Sequence, residues 1–260
     1  MAKQSTRRRH VVVTGAGTGI GRAIALRLAT KSTLLTLLAR DVERLEATAT
    51  LARRRGARVQ VQGCDIAKRA SVDRAFARAA RSFGAIDVLV ANSGIGGPNA
   101  PGPRDRFDQL VATNLIGTYS CLRAAQRHLA AGPQTRHLVV IASVLARIGV
   151  AGYSGYCASK TGLLGLVRAL AAELAPLDVQ VNAVCPGWVD TDMARSGLEG
   201  MAQALGTSFD EARRIALGAV PLGRMAQPED VAGMVQWLVS PDARGVTGQG
   251  LDMNGGAFMI

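Results

Sequence analysis

The chain has no long hydrophobic run: none of its apolar stretches approaches the roughly 18 residues that a membrane-spanning helix needs. Its first residues, MAKQSTRRRH, carry charge, but no apolar segment follows them, because VVV at 11–13 gives way at once to TGAGTGIG. This pattern disfavours a secretory or twin-arginine signal. We therefore expect a cytoplasmic protein that is not associated with a membrane.

Cysteine is scarce, and no two cysteines lie close together in the sequence. The four cysteines are Cys64, Cys121, Cys157 and Cys185. Disulfide frameworks and zinc sites need closer or patterned spacing, and no cluster of histidine, cysteine and carboxylate residues indicates another metal. Each cysteine has apolar or small neighbours, so we expect buried free thiols and no bound metal.

Lysine and aromatic residues are also rare. The only lysines are Lys3, Lys31, Lys68 and Lys160. Aromatic residues make up 4% of the chain, and its net charge of +12 comes almost entirely from arginine. A nucleic-acid site usually shows a concentrated basic stripe with aromatic residues for base stacking. The arginines are instead spread along the chain, with blocks only at 7–9 and 53–55, so we expect no nucleic-acid partner.

Short apolar runs alternate with helical patterns along the whole chain. The runs that predict strands are 10–15, 34–40, 57–65, 86–94, 137–143, 179–187 and 248–256. Helices of ten or more residues are predicted between them, for example at 22–31, 42–56 and 70–84. This alternation is typical of a parallel sheet covered on both faces. We therefore predict an α/β fold with a single doubly wound domain over 10–260, preceded by a basic tail at 1–9.

A glycine-rich turn follows the first predicted strand, where residues 14–21 read TGAGTGIG. Glycines allow a tight strand-to-helix turn and let a dinucleotide's pyrophosphate approach the backbone at the start of a helix. The strict G-x-G-x-x-G spacing does not fit, because Ile20 occupies the sixth position counted from Gly15. Asp65 and the stretch 92–94 also end strands, and parallel strands bring their carboxyl ends to one crevice. The sequence therefore predicts a nucleotide site there, with a plain turn as the alternative.

Residues 153–160 read YSGYCASK, which places Tyr156 and Lys160 four positions apart. On a helix such residues lie on the same face, and the stretch 161–176 supplies the apolar periodicity of a helix. A cation beside a phenol lowers the phenol's pKa and makes it a usable proton donor near neutral pH. The alternative is an exposed tyrosine and lysine with no joint role.

These motifs occur in the order found in the short-chain dehydrogenase/reductase family. The resemblance is carried by T14-G-x-x-x-G-x-G21, N92-S-G94, Ser143, Y156-x-x-x-K160 and P186-G187, and it extends from about residue 10 to the end. The family's common N-N-A-G is A-N-S-G at 91–94, where we expect the loop's packing role to persist. The resemblance implies a Rossmann-type sheet of seven strands that binds NAD or NADP. It also implies hydride transfer between nicotinamide and a carbonyl or carbinol carbon.

The resemblance further implies roles for four catalytic residues. Tyr156 would protonate the carbonyl oxygen, and Lys160 would lower its pKa and bind the nicotinamide ribose. Ser143 would hold the same substrate oxygen. Asn114 would hold a proton-relay water beside the lysine. The alternatives are that Ser143 is a strand-end turn residue and that Asn114 is a helix residue satisfied by backbone groups.

The cofactor contacts that the resemblance implies come from several strand ends along the crevice and from the helix with Tyr156 and Lys160. They are Gly15, Thr18, Gly19, Ile20, Gly21, Arg40, Asp65, Ile66, Asn92, Gly94, Tyr156, Lys160, Pro186, Gly187, Val189 and Thr191. An NAD-selecting carboxylate normally ends the second strand, roughly 20 residues beyond the glycine loop, but Ala39 occupies that position. Arg40 follows and can bind a 2′-phosphate, so we expect NADP(H) rather than NAD. Asp41 complicates this prediction because a carboxylate there could reach a ribose hydroxyl.

The stretches VNAVCPGWVDTDMA and VPLGRMAQPEDVA are similar to those of bacterial 3-oxoacyl and aromatic-polyketide ketoreductases. This resemblance implies reduction of a small-molecule or acyl-type ketone to a secondary alcohol. A secondary-alcohol, sugar or hydroxysteroid dehydrogenase is the alternative, and a nucleotide-sensing protein without turnover is a more remote one.

The segment 190–220 is longer than a simple strand-to-helix connection needs, and long loops in compact domains are usually functional. We expect it to be a substrate lid, with an ordinary packing insertion as the alternative. Within it, Ser208 and Glu211 fit a capping box that opens a helix. The resemblance also implies a homotetramer, in which the helices around 105–130 and 154–174 and the C-terminal stretch 250–260 make the contacts.

Overall fold

The computed structural model describes residues 8–132 and 134–259, and it contains a seven-stranded parallel sheet. The strands are β1 (Arg9–Thr14), β2 (Thr33–Ala39), β3 (Arg58–Gly63), β4 (Val88–Ala91), β5 (Arg136–Ile141), β6 (Val179–Pro186) and β7 (Gly250–Met253). They are arranged in the order β3-β2-β1-β4-β5-β6-β7, and every pairing is parallel. The predicted α/β sheet of seven parallel strands is therefore confirmed.

Helices cover both faces of this sheet. They are α1 (Gly19–Leu28), α2 (Val42–Arg54), α3 (Arg69–Phe83), α4 (Phe107–Val111), α5 (Thr118–Gln126), α6 (Ser154–Leu174), α7 (Asp192–Leu205), α8 (Phe209–Gly218) and α9 (Pro228–Leu238). Alternate residues of β1 belong to different cores: Val12 packs with α3, α5 and α6, whereas Val11 and Val13 pack with α1, α2 and α9. Successive strand residues point to opposite faces, so each face buries one set.

The N-terminal boundary differs from the prediction. Residues 1–7 of the predicted basic tail lie outside the described residues, but Arg9 is the first residue of β1 and not part of a tail. Its guanidinium donates a hydrogen bond to the Val239 carbonyl at 2.7 Å. Because Arg9 is charged, it lies outside the apolar run that predicted β1, and the predicted strand therefore began one residue too late.

The strand order reverses at β1, which has β2 on one side and β4 on the other. In open α/β sheets this switch point creates a crevice at the carboxyl ends of the strands, where ligands bind. Here the Thr14 hydroxyl accepts hydrogen bonds from the backbone N–H groups of Asn92 and Ser93, each at 3.0 Å. The ends of β1 and β4 are thereby fixed to each other at the rim of the crevice.

The segment between α4 and α5 is a π-helix over Ala112–Gly117, which the sequence did not predict. A Cβ atom on Gly117 would lie 2.9 Å from the Ile66 carbonyl oxygen, so the backbone there passes too close to the end of β3 for a side chain. π-Helical turns occur frequently at functional sites, and this one contains Asn114.

Two helices, α7 and α8, fill the long segment 190–220. Half of the capping box predicted for α8 is confirmed: the Ser208 hydroxyl accepts from the Glu211 backbone N–H at 3.2 Å. The Glu211 carboxylate pairs with the Arg214 guanidinium at 2.6 and 2.8 Å.

The four cysteines are free thiols, as predicted: three are buried and Cys157 is half-buried. Within 8–132 and 134–259, no helix is both long and apolar enough to cross a membrane.

Candidate active site

Tyr156 lies in the first turn of α6, next to Ser143 at the end of β5. The residue keeps some exposure, and the Ser143 side chain is close enough to the phenol to lower its pKa. The Ser143 hydroxyl also accepts from the Leu145 backbone N–H at 3.2 Å. Ser143 is therefore a turn residue and a partner of the phenol at the same time, so the two readings of this serine are compatible.

Lys160 is buried one turn further along α6. Its ammonium donates to the Ile141 carbonyl at 2.9 Å and lies 5.6 Å from the centre of the Tyr156 ring. Burial lowers the pKa of Lys160 to about 8. The tyrosine and lysine thus share one buried space, and the alternative of an exposed pair is wrong.

The predicted direction of the phenol's shift is also wrong. Burial raises the pKa of Tyr156, and this effect outweighs the lowering by its hydrogen bond with Ser143; Lys160 is not among the causes. The reason is desolvation, which penalises the phenolate when its surroundings are apolar. The Tyr156 phenol therefore stays protonated at neutral pH, which is the form that a proton donor needs.

Asn114 lies in the π-helical turn and is buried. Its side chain exchanges two hydrogen bonds with the Ile95 backbone, at 2.9 and 3.0 Å, and donates to the Ser159 hydroxyl at 3.2 Å. These contacts fit the alternative of an asparagine satisfied mainly by backbone groups. Nevertheless, a Cβ on Gly94 would lie 3.1 Å from Asn114 Oδ1 and 3.7 Å from Lys160 Nζ, so the asparagine borders the lysine's space.

The glycine loop packs against Asn92 without room for side chains. A Cβ on Gly21 would lie 2.1 Å from the Gly15 carbonyl oxygen and 2.4 Å from Asn92 Nδ2. The Asn92 amide donates to the carbonyls of Thr14 and Gly15 at 3.1 and 3.3 Å. Asn92 therefore supports the loop from behind, which is the packing role expected for the A-N-S-G stretch.

Helix α1 begins at Gly19, and the Thr18 side chain before it makes no capping hydrogen bond. The N–H groups of this first turn, which includes Ile20 and Gly21, are consequently free of a side-chain cap and suited to an anion. A Cβ on Gly19 would lie 3.1 Å from Thr191 Cγ2, so the loop after β6 reaches the glycine loop. Thr191 in turn donates to the Val189 carbonyl at 3.2 Å.

Two charged residues follow β2 and differ in their contacts. Arg40 is exposed and makes no hydrogen bond or ion pair with the part of the chain that the structure describes. Asp41 caps α2 instead: it accepts from the Arg44 backbone N–H at 3.1 Å, and its carboxylate lies 3.3 Å from Arg44 Nε. The Asp41 carboxylate, which complicated the cofactor prediction, is therefore engaged with Arg44 and the start of α2.

Arg44 is a candidate that the sequence reasoning missed. A Cβ on Gly17 would lie 3.0 Å from Arg44 Cβ, which places this arginine beside the glycine loop. The only signal in the sequence was its charge on the first turn of α2, four residues beyond Arg40. It is a second cation that could contact a phosphate there.

The remaining predicted contacts also lie at strand ends. Asp65 accepts from the Ala67 backbone N–H at 3.1 Å and lies 3.8 Å from Lys68 Nζ, and Ile66 is buried beside it. After Pro186, a Cβ on Gly187 would lie 2.9 Å from Asn254 Cα, so the loop after β6 packs tightly on the segment after β7.

One cavity lies away from the catalytic candidates. Its volume is about 840 Å³, and its lining includes Trp188, Val220, Leu222, Met253 and Phe258 but none of the four predicted catalytic residues. Helix α7 lies against the loop after β4, because Met193 Sδ would lie 3.1 Å from a Cβ on Gly96.

Comparisons with known proteins agree with this geometry. A family model described as enoyl-(acyl carrier protein) reductase matches residues 15–257. A Streptomyces virginiae protein proposed to be the ketoacyl reductase of the monensin polyketide synthase is 38% identical over 97% of this chain and 98% of its own. The 3-oxoacyl-(acyl-carrier-protein) reductase of Staphylococcus aureus is 32% identical over 96% and 98% of the two chains.

Among solved structures, a variant of the actinorhodin polyketide ketoreductase with NADPH aligns with a TM-score of 0.90 at 34% identity. The alignment covers 97% of this chain and 98% of that one. Since sequence and structure both match over nearly the full length of these oxidoreductases, the chain belongs to the short-chain dehydrogenase/reductase family.

Proposed function

We propose that the protein uses NADPH to reduce a ketone, of the 3-oxoacyl or polyketide type, to a secondary alcohol. The observation that carries the proposal is the arrangement of Tyr156, whose phenol lies next to Ser143, with the buried Lys160 ammonium 5.6 Å from the centre of its ring. Relatives named as ketoacyl reductases support the same substrate class.

In this proposal the chain's own residues handle the substrate oxygen. NADPH, when bound, supplies the hydride for the carbonyl carbon. Tyr156 donates its proton to the carbonyl oxygen, and the Ser143 hydroxyl holds that oxygen as negative charge develops on it. Lys160, with a pKa of about 8, is suited to returning a proton to the phenol, and Asn114 would hold a relay water beside it.

The residues present fit a dinucleotide. Gly21 lets α1 pack closely on the glycine loop, since a Cβ there would lie 2.1 Å from the Gly15 carbonyl oxygen, and the first turn of α1 carries no side-chain cap. In this proposal Gly15, Gly19 and Gly94 line the path of the dinucleotide, with Asp65 at its adenine end and Val189 and Thr191 at its nicotinamide end. Asn92, Gly187 and Pro186 shape the loops and would act mainly as supports.

Replacing Arg40 with alanine should reduce the preference for NADPH. The exposed guanidinium has no other partner among the described residues, and a charge-assisted contact to the 2′-phosphate contributes about 1.5–3 kcal/mol. We expect wild type to prefer NADPH at least about ten-fold in kcat/KM, and Arg40→Ala to lose most of that preference. Steady-state kinetics with both cofactors on one ketone measure this. Equal use of NADH by wild type would contradict the assignment, and Arg44→Ala tests the neighbouring cation.

The proposed function is tested by following NADPH oxidation with a panel of carbonyl compounds. The panel contains 3-oxoacyl thioesters, cyclic polyketide-like ketones, sugars, oxosteroids and an enoyl thioester. Highest kcat/KM on a 3-oxoacyl or polyketide-type ketone supports the proposal. A preference for sugars or steroids would favour the dehydrogenase alternative. Reduction of the enoyl thioester would show that the protein reduces a carbon–carbon double bond instead of a ketone. NADPH binding without turnover would favour a nucleotide sensor.

We also propose that residues 190–220 form a substrate lid on a single catalytic domain. Leu198 lies on the buried side of α7, whereas Met193 on the same helix keeps 51% exposure and its Sδ would lie 3.1 Å from a Cβ on Gly96. Met193→Ala should therefore raise KM several-fold for bulky ketones and leave KM for NADPH unchanged. Unchanged KM values for every accepted ketone would show that this segment is ordinary packing.

A homotetramer in the cytoplasm is proposed as the assembled form. Helices α4 and α5 and the π-helical turn between them expose Phe107, Ile116 and Tyr119, at 39%, 55% and 39%. Near the C-terminus Leu222 and Met259 are 64% and 75% exposed. Two separate apolar surfaces can form two kinds of two-fold contact, which generate a tetramer. Light scattering should give four times the monomer mass, and a monomer at micromolar concentration would refute the assembly.

A further inference from the structure

Asn99 lies in the loop between β4 and α4 and forms hydrogen bonds with the start of α6, the helix that carries Tyr156 and Lys160. Its Oδ1 accepts from the Gly155 backbone N–H at 2.8 Å, and its Nδ2 donates to the Ser154 hydroxyl at 3.1 Å. Its own backbone N–H donates to the Gly152 carbonyl at 2.8 Å. One residue of a distant loop therefore holds the chain on both sides of the first residue of α6.

These contacts make Asn99 a helix cap supplied from elsewhere in the chain. The residue before α6 is Tyr153, and its side chain makes no capping hydrogen bond. A capping oxygen normally accepts from the second or third N–H of a helix. Gly155 is the second residue of α6, and Tyr156 is the third, so the cap acts on the turn that carries the phenol.

The same amide also reaches the start of α4 through Asp105. Asn99 Nδ2 donates to Asp105 Oδ1 at 3.0 Å, and that oxygen accepts from the Phe107 backbone N–H at 2.9 Å. The first turns of α4 and α6 are in contact, because a Cβ on Gly155 would lie 3.1 Å from both Phe107 Cα and Leu110 Cδ1. One amide–carboxylate pair thus joins two helix starts.

Both joined helices lead to predicted catalytic residues. Helix α4 continues directly into the π-helical turn that contains Asn114, and α6 carries Tyr156 and Lys160. A small displacement of a positioned group can cost a large factor in rate, because reactive alignment is lost. The loop contact is therefore placed to affect turnover without touching the reacting atoms.

We infer that Asn99 is a positioning residue for proton transfer: with Asp105, its amide fixes the first turn of α6 and through it the phenol of Tyr156. The inference rests on the proposed function, in which Tyr156 is the proton donor. The chemistry required of position 99 is a hydrogen-bond acceptor for the helix and a matched partner for position 105.

Four variants separate this role from general stability: Asn99→Ala, Asn99→Asp, Asp105→Asn and the double variant Asn99→Asp/Asp105→Asn. Asn99→Ala removes the cap. Asn99→Asp keeps an acceptor but places two carboxylates against each other. Asp105→Asn keeps the oxygen that accepts from Asn99, and the double variant restores a donor–acceptor pair with the roles exchanged. Only a specific pairing predicts recovery in the double variant.

The first readout is hydrogen–deuterium exchange of residues 153–160 in the protein alone. Loss of an N-cap shifts helix opening by about 2- to 30-fold, so this segment should exchange faster in Asn99→Ala and Asn99→Asp. The second readout is kinetic. We expect about a ten-fold loss of kcat in these two variants, unchanged KM for NADPH, and recovery to within about three-fold of wild type in the double variant.

Ser240→Ala is the matched control. Its hydroxyl caps a short 3-10 turn, accepting from the Asp242 backbone N–H at 3.2 Å, next to Val239, whose carbonyl accepts from Arg9 at the start of β1. It should keep wild-type kcat. The inference is wrong if Asn99→Ala keeps kcat within two-fold, if its kcat falls without faster exchange at 153–160, or if the double variant is no better than Asn99→Asp. Tyr156→Phe, measured in parallel, isolates the proposed function: if that variant retains turnover, the donor assignment fails regardless of Asn99.

Discussion

Tyr156→Phe should lose about 10²–10⁴-fold in kcat while keeping its fold and its affinity for NADPH, because a positioned acid contributes that factor. The substitution removes one hydroxyl. Its partner Ser143 remains bonded to the Leu145 backbone N–H at 3.2 Å, so the turn after β5 keeps its support. The measurements are steady-state reduction of an accepted ketone and fluorescence titration of NADPH. Wild-type kcat in the variant would remove Tyr156 from the mechanism.

Tyr119→Phe serves as the control for loss of a phenol hydroxyl. Tyr119 lies on α5, where its ring contacts the Arg123 guanidinium, on a different helix from Tyr156. Its kcat should equal that of wild type.

The pH dependence of reduction gives a second check on the donor. Reduction needs the protonated phenol, and burial raises the pKa of Tyr156 above its usual value, so this group does not limit the rate near neutrality. Lys160, with a pKa lowered to about 8, loses its proton first as pH rises. We expect kcat/KM for reduction to be flat below neutrality and to fall above pH 8. Reduction that rose through this range would require a phenolate and contradict the assignment.

The fold was predictable because each element carries a local signal. All seven strands read as short apolar runs, and the two main motifs are each local: the glycine turn spans residues 14–21, and Tyr156 and Lys160 are four positions apart. The order of the strands follows from the resemblance and the right-handed connections of parallel sheets. Arg9 was not predicted as a strand residue because a charged residue does not extend an apolar run. The π-helical turn at Asn114 was not predicted because the close approach of Gly117 to Ile66 is a tertiary contact.

The properties that the sequence did not predict all depend on distant packing. The direction of the Tyr156 pKa shift is set by burial beneath several elements, whereas the sequence showed only the lysine four residues away. Asn99 and Gly155 are 56 positions apart, and no local motif connects them. Arg44 was similarly an ordinary helix cation until the structure placed it against Gly17. The sequence thus predicted the residues that match the family's motifs, but it did not predict Asn99 and Arg44, whose positions depend on distant packing.

Gly21→Ala should abolish NADPH binding under conditions where wild type binds fully. The new Cβ would lie 2.1 Å from the Gly15 carbonyl oxygen and 2.4 Å from Asn92 Nδ2. Neither neighbour can move freely, because Gly15 N donates to Leu38 O at 2.7 Å and the Asn92 amide is bonded to the loop's carbonyls. Helix α1 must therefore shift away from the loop, which separates its first N–H groups from the glycines that would receive the pyrophosphate.

We expect Gly21→Ala to weaken NADPH binding by at least about 100-fold and to destabilise the protein by about 1–3 kcal/mol, as overpacking in a well-packed site does. The control is Gly233→Ala in α9, where a new Cβ meets nothing within 4 Å. That helix-interior change should stabilise the protein by about 0.5–1 kcal/mol, since alanine is the better helix former. Urea unfolding gives both stabilities, circular dichroism establishes that each variant is folded, and fluorescence titration gives the affinities. A folded Gly21→Ala variant that bound NADPH as tightly as wild type would show that the cofactor does not use this loop.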